Sequence, residues 1–180
     1  MRYQILTMAF AFMGVVQSVP AQEAKKEVSQ KVLGLELGAK LPELTVSTQY
    51  GKEVPMVAGE GNRWVFVFFY PKAMTGGCTK QVCSVRDSFE ELAEQKVVVF
   101  GVSTDGVEAQ MKFSKKENVN YTLVADADKK VTQAFKVPLI ANKMASRQAY
   151  LFKDGVLVWR DVKGATKTQG AEVLAAIKAN

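Results

Sequence analysis

The chain has 180 residues, 48% of them hydrophobic and 23% charged, with a formal net charge of +6 from 24 basic and 18 acidic side chains. That is the composition of a soluble globular protein with room for one domain and an extension. It contains two cysteines and no histidine, which excludes Cys-His and Ser-His-Asp catalysis, histidine-ligated metals and any four-cysteine zinc or iron–sulfur centre. The lysines are scattered and no basic run alternates with aromatics, so no nucleic-acid partner is expected.

Arg2 precedes an apolar stretch, Ile5 to Val16, followed by Ser18-Val19-Pro20-Ala21. A basic start, an apolar centre and a small residue at the break predict an export signal over residues 1–21, cleaved after Ala21. The stretch is shorter than the ~20 residues that span a bilayer, and no cysteine follows the break to accept a lipid. An exported, periplasmic protein without stable membrane association is therefore expected. Residues 22–32 read as a polar lead-in, and residues 33–180 as the folded domain.

Leu44 to Ser47 and Glu53 to Met56, separated by Tyr50-Gly51, predict a short N-terminal hairpin. Gly59 to Asn62 reads as a turn into a buried strand from about Arg63 to Phe69. An amphipathic helix follows, with Val82, Val85, Phe89, Leu92 and Ala93 at helical spacing. Val97 to Val102 is a second buried strand, so the segment is a parallel βαβ unit with a right-handed crossover. Asp105, with Glu108 three residues on, predicts the opening of a helix to about Asn118. Tyr121 to Ala125 is a strand and Asp128 to Phe135 a short helix, on which Val131, Ala134 and Phe135 share a face. Lys136 to Ser146, with Pro138, reads as a loop. Gln148 to Phe152 and Val156 to Arg160 flank Lys153-Asp154-Gly155, a strong hairpin turn, and a last helix starts near Thr168 with Val173, Leu174 and Ile177 inward. The order β-α-β-α-β-α-β-β-α predicts an α/β, thioredoxin-like fold: a central mixed sheet flanked by helices, with the hairpin as an extension.

Cys78 falls where the first central strand has ended and a helix begins. In open α/β sheets that is where sites lie, and unpaired helix N–H groups with the positive end of the helix dipole favour thiolate over thiol. Thr75 is placed to bring its hydroxyl beside the sulfur, the amides of Gly77 and Cys78 begin the helix, and Arg147 opens a neighbouring strand from which its guanidinium can reach the same pocket. Arg86 is the other candidate cation. A thiolate among such donors suits attack on a polarised O–O bond. Cys83 supplies a geometric test, because on one regular helix its Cα stands ~8.6 Å from that of Cys78, with ~7.5 Å of rise and ~140° of rotation. A disulfide needs ~4.4–6.8 Å, so it forms only if the first helical turns unwind. That suits a pair alternating between dithiol and disulfide better than a structural staple.

Phe69-Tyr70-Pro71-Lys72, Thr75-Gly76-Gly77-Cys78-Thr79-Lys80 and Cys83-Ser84-Val85-Arg86-Asp87 resemble the peroxiredoxins, specifically the bacterioferritin-comigratory-protein or PrxQ subfamily. Pro71, Thr75 and Cys78 match the family's proline-threonine-cysteine spacing, and the four-residue gap to a second cysteine is the subfamily's mark. The subfamily often has proline where this chain has Gly76. The resemblance implies a thiol peroxidase without metal or organic cofactor, reducing hydrogen peroxide and organic hydroperoxides. It implies Cys78 as peroxidatic cysteine and Cys83 as resolving cysteine, joined in an intramolecular disulfide that a thioredoxin-like donor reduces. Thr75, Gly77, Cys78 and Arg147 would hold the peroxide oxygens, Pro71 would shield the thiolate, and the protein would be a monomer or weak dimer. The rival reading is an exported thiol:disulfide oxidoreductase, which normally needs Cys-x-x-Cys where this chain has Cys-x₄-Cys.

Overall fold

The computed structural model describes residues 34–58 and 63–180. The expected export signal, the polar lead-in and the Gly59–Asn62 turn lie outside the described residues. The hairpin is present as β1 (Thr45–Ser47) and β2 (Glu53–Pro55), antiparallel and in register around Val46 and Val54. The central sheet has the order β5-β4-β3-β8-β9, formed by β3 (Trp64–Phe69), β4 (Val97–Ser103), β5 (Thr122–Ala125), β8 (Gln148–Lys153) and β9 (Val156–Asp161). Strands β3, β4 and β5 are parallel, whereas β8 is antiparallel to both β3 and β9. The mixed sheet is the one the alternation of elements predicts.

All six residues of β3 are buried, as expected for a central strand covered on both faces. Its side chains alternate between two cores. Trp64, Phe66 and Phe68 enter one with Val82, Val85, Leu92, Phe113, Val173 and Ile177. Val65, Val67 and Phe69 enter the other with Val46, Met56, Val131 and Phe135. Each fully buried phenylalanine stabilises the fold by roughly 1.5–3 kcal/mol relative to exposure. Gly101 is required opposite Phe68, because a Cβ there would stand 2.8 Å from the ring.

The helices are α1 (Gly76–Asp87), α2 (Phe89–Glu94), α3 (Val107–Glu117), α4 (Lys130–Ala134) and α5 (Gln169–Ala179). Three details differ from the sequence reading. The single helix expected through Ala93 is broken at Ser88, which closes α1 and leads into α2; Ala93 is exposed rather than inward. At this point α5 passes so close that a Cβ on Gly170 would lie 2.4 Å from both the Ser84 carbonyl and the Ser88 hydroxyl. Asp105 does not cap α3, whose N-cap is Gly106; its carboxylate is used elsewhere, as described below. The expected loop at Lys136–Ser146 contains a small antiparallel pair, β6 (Leu139–Ile140) and β7 (Met144–Ala145). Its turn uses Ala141 and Asn142 at φ 49° and 56°, a conformation that alanine does not advertise in sequence. The Asp154-Gly155 turn is as expected, with φ 50° and 78°, the positive pair of a two-residue hairpin.

Candidate active site

Strand β3 ends at Phe69, and the backbone then runs through Tyr70–Thr75 to the start of α1. This loop is tied down from beneath. The Ala73 N–H donates to Asp105 Oδ2 at 2.7 Å, and the Ser103 hydroxyl donates to the same oxygen at 2.7 Å. Gln110 Nε2 donates to Ser103 Oγ at 3.0 Å and to the Val124 carbonyl at 2.8 Å, while its Oε1 accepts from the Tyr70 hydroxyl at 2.6 Å. Burial pushes the Tyr70 phenol well above its usual range, so it remains a donor in this chain. Met74 is exposed with φ 60°, a left-handed conformation that costs energy in a residue with a side chain and persists only where the surroundings hold it.

Cys78 lies in the first turns of α1 and is 1% exposed, one layer beneath the exposed residues Met74, Thr75 and Gly76. The first helical bond runs from the Thr79 N–H to the Thr75 carbonyl at 2.8 Å, so the amides of Gly77 and Cys78 precede it and have no partner within the helix. Arg147, the residue before β8, donates from Nη2 to Cys78 Sγ at 3.4 Å. From Nη1 it also donates to Gln81 Oε1. Gln81 lies three residues beyond Cys78 on the same helical face, and its Nε2 donates to Oε1 of Gln169, the first residue of α5, at 3.0 Å. The buried Nε2 of Gln169 has no partner.

Two glycines make room for the guanidinium. A Cβ on Gly77 would stand 3.3 Å from Arg147 Nη2, and one on Gly164 would stand 2.2 Å from Arg147 Cγ. Gly164 also has φ 64°, so only glycine fits there without displacing Arg147. Asp161 shapes this loop by accepting from the N–H groups of Lys163 and Ala165 at 2.9 and 2.8 Å.

The structure brings Arg147 to Cys78, as expected, and places two other candidates differently. Thr75 is the N-cap residue of α1, but its hydroxyl caps no amide and donates to the Lys72 carbonyl at 3.0 Å rather than reaching Cys78. With its proton committed, that oxygen presents lone pairs towards solvent. Arg86 is not a cation at Cys78; it donates from Nη1 to the Glu117 carbonyl at 2.5 Å and from Nε and Nη2 to Asp87 Oδ1. Pro71 is half-buried at the foot of the loop. Sequence reading missed Gln81, Gln169, Gly164 and the true role of Asp105. Gln81 alone carried a signal, a polar side chain on the helical face of Cys78.

Both cysteines are free, and α1 is one helix across the two. Cys83 is half-buried on another side of it, where its S–H donates to Glu117 Oε2 at 3.6 Å. Burial pushes this thiol up from its ordinary value, Arg86 pulls it back, and Glu117 pushes it up further. A cavity of about 480 Å³ lies at the amino ends of β4 and β5, lined in part by Gln49, Phe89, Val97 and Tyr121. It is at the opposite end of the strands from Cys78.

Comparison with known proteins shows the family that this fold and sequence resemble. The family model described as AhpC/TSA family matches residues 37–160. The chain is 35% identical over 153 residues to peroxiredoxin Bcp of Bacillus subtilis, an alignment covering 80% of this chain and 96% of the relative. Peroxidoxin BcpB from Mycobacterium tuberculosis superposes with a TM-score of 0.74 at 28% identity, covering 81% of this chain and 97% of its own. Bacterioferritin comigratory protein of Xanthomonas campestris, solved in connection with alkyl peroxide reduction, superposes with a TM-score of 0.71 at 28% identity, covering 81% and 96%.

Proposed function

The chain belongs to the AhpC/TSA family, among its peroxiredoxins, and we propose that it is a two-cysteine thiol peroxidase acting on hydrogen peroxide and organic hydroperoxides. The observation that carries this reading is the Arg147 guanidinium donating to Cys78 Sγ at 3.4 Å beside the open amides of α1. These are the donors that an attacking sulfur and a departing oxygen need, in a chain without an imidazole.

In the proposed cycle the Cys78 sulfur attacks the terminal oxygen of the hydroperoxide. An S–O bond forms as the O–O bond breaks. The electron pair leaves with the other oxygen, the one bonded to carbon in an organic hydroperoxide, which takes a proton and departs as an alcohol or, from hydrogen peroxide, as water. Cys78 is left as a sulfenic acid, oxidised by two electrons. Arg147 and the amides of Gly77 and Cys78 offset charge on the two oxygens, the Thr75 oxygen accepts from the peroxide O–H, and Pro71 limits solvent at the sulfur. Cys83 then attacks Cys78, the S–S bond forms, and the sulfenic oxygen leaves as water. A thioredoxin-like dithiol reduces the disulfide by exchange. The α1 helix must open for resolution, because its regular geometry keeps the two Cα atoms ~8.6 Å apart.

The basic start, apolar centre and small-residue break within residues 1–21 support an exported, periplasmic location, and a monomer or weak dimer is the expected assembly. The deciding experiment mixes reduced protein with hydrogen peroxide and follows peroxide and free thiols together. Stoichiometric peroxide loss with a Cys78–Cys83 disulfide is expected. Cys78→Ser should abolish it, and Cys83→Ser should allow one turnover and leave a trapped sulfenic acid. Full turnover by Cys78→Ser would overturn the assignment, and slow peroxide loss with rapid reduction of protein disulfides would favour a thiol:disulfide oxidoreductase.

A further inference from the structure

We infer that Glu117 is a positioning residue that latches Cys83 in the wound helix, withholding the second thiol until α1 opens and so setting the lifetime of the Cys78 sulfenic acid. This rests on the proposed role of Cys83 as the resolving thiol and extends it to the residue that times the step.

The carboxylate is built into place. Glu117 is the last residue of α3, its side chain is 15% exposed, and the next residue, Asn118, closes the helix at φ 49°. Its backbone carbonyl accepts from Arg86 Nη1 at 2.5 Å, which fastens the end of α3 to α1. One carboxylate oxygen stands 3.8 Å from Lys116 Nζ, and the other accepts the Cys83 S–H at 3.6 Å. The groups acting on the thiol are therefore Glu117 from α3, with Lys116 beyond it, and Arg86 and Asp87 from α1 itself. Nearby, the Tyr121 hydroxyl donates to the Val82 carbonyl at 2.9 Å and so also braces the wound state.

Resolution requires a thiolate brought to the Cys78 sulfur. In the wound helix the Cys83 proton is shared with Glu117, and the adjacent negative charge opposes thiolate formation. Unwinding the first turns of α1 removes Cys83 from α3, so one movement breaks the S–H···O bond, takes away the opposing carboxylate and allows the sulfurs to meet. The Cys83 proton and the sulfenic hydroxyl then leave together as water, and no further oxidant is needed. A longer-lived sulfenic acid is more exposed to a second peroxide, which carries it to the sulfinic acid. A looser latch should therefore protect Cys78.

The test uses the full chain, reduced and mixed with one equivalent of hydrogen peroxide, then quenched and alkylated at intervals so that mass spectrometry counts sulfenic acid and disulfide. In Glu117→Gln, which removes the negative charge, and in Glu117→Ala, which removes the acceptor as well, disulfide formation should accelerate about three- to tenfold. The peroxide concentration giving half-maximal sulfinic acid should rise by the same factor, while the first step keeps its rate. In a Cys83→Ser background, Glu117→Gln should shift neither. Unchanged or slower resolution in Glu117→Gln, with the first step intact and the wild-type disulfide forming normally, overturns this inference alone. Absence of a Cys78–Cys83 disulfide in the wild type overturns the reading of Cys83, and this inference with it.

Discussion

Cys78 and Cys83 share one helix and meet opposite chemistry. Cys78 sits against a guanidinium, two open amides and a glutamine relay to α5, whereas Cys83 sits against a carboxylate at the end of α3. The cause is the 100° advance per residue, which turns the two sulfurs ~140° apart and presents them to different walls. One wall donates a hydrogen bond to its sulfur. The other accepts one from its thiol and, with burial, raises that thiol above its ordinary value. A disulfide between them would require this helix to open, and while it stays wound the two sulfurs remain in separate surroundings.

The comparison is broken most severely at Arg147. Arg147→Lys should lower the second-order rate with peroxide by about a hundredfold, because the single ammonium nitrogen of lysine lacks the planar fork that reaches Gln81 and Cys78 from two separate nitrogens; stopped-flow mixing of the reduced protein measures it. Gly164→Ala reaches the same wall from behind. A Cβ 2.2 Å from Arg147 Cγ at a positive φ should displace the guanidinium, lowering that rate about tenfold and costing about 1–3 kcal/mol of stability in urea unfolding. Gln81→Leu keeps Arg147 but releases it, and leaves Gln169 Oε1 buried without its donor. A rate loss of about threefold to fivefold is expected, with about 1–3 kcal/mol of destabilisation.

The smallest effect sharpens the Cys83 side. Its thiol is raised in the wound helix, chiefly by burial and then, against Arg86, by Glu117, while an unwound segment has the ordinary value of about 8.5. Below that pH both states hold the proton and the wound helix keeps its full advantage. Above it the unwound state releases its proton first, and the advantage falls until the pH passes the folded-state value. Amide exchange over residues 76–83, corrected for its intrinsic pH dependence, should therefore quicken as the pH rises above about 8.5, and Cys83→Ser should remove the part due to this thiol. An unchanged difference in that variant would show that Cys83 does not govern the opening.

Most of the architecture was legible because the strands are unusually explicit. Six consecutive apolar residues at Trp64–Phe69 and the valine run at Val97–Val99 can only be central strands of this length, and Asp154-Gly155 announces its hairpin. The break at Ser88 was not legible, since it depends on the approach of Gly170 from the far end of the chain. The β6–β7 pair was hidden for another reason: its turn uses alanine and asparagine in a conformation that glycine usually signals.

The site divides in the same way. The spacing of Pro71, Thr75, Cys78 and Cys83 is local, so the strand end, the helix start and the turn between the cysteines were readable from the order of residues. Arg147 was anticipated from its place before a strand, and the structure puts it on the sulfur. Gln169, Gly164, Asp105 and Glu117 act across large separations in the chain, and nothing in their immediate neighbours reports it. By itself the sequence determined which sulfur stands at a helix N-terminus and that no histidine assists it, because both follow from local order and composition. Only the tertiary structure decided which walls the two sulfurs face, because that depends on how α3, α5 and the segment before β8 pack around one helix.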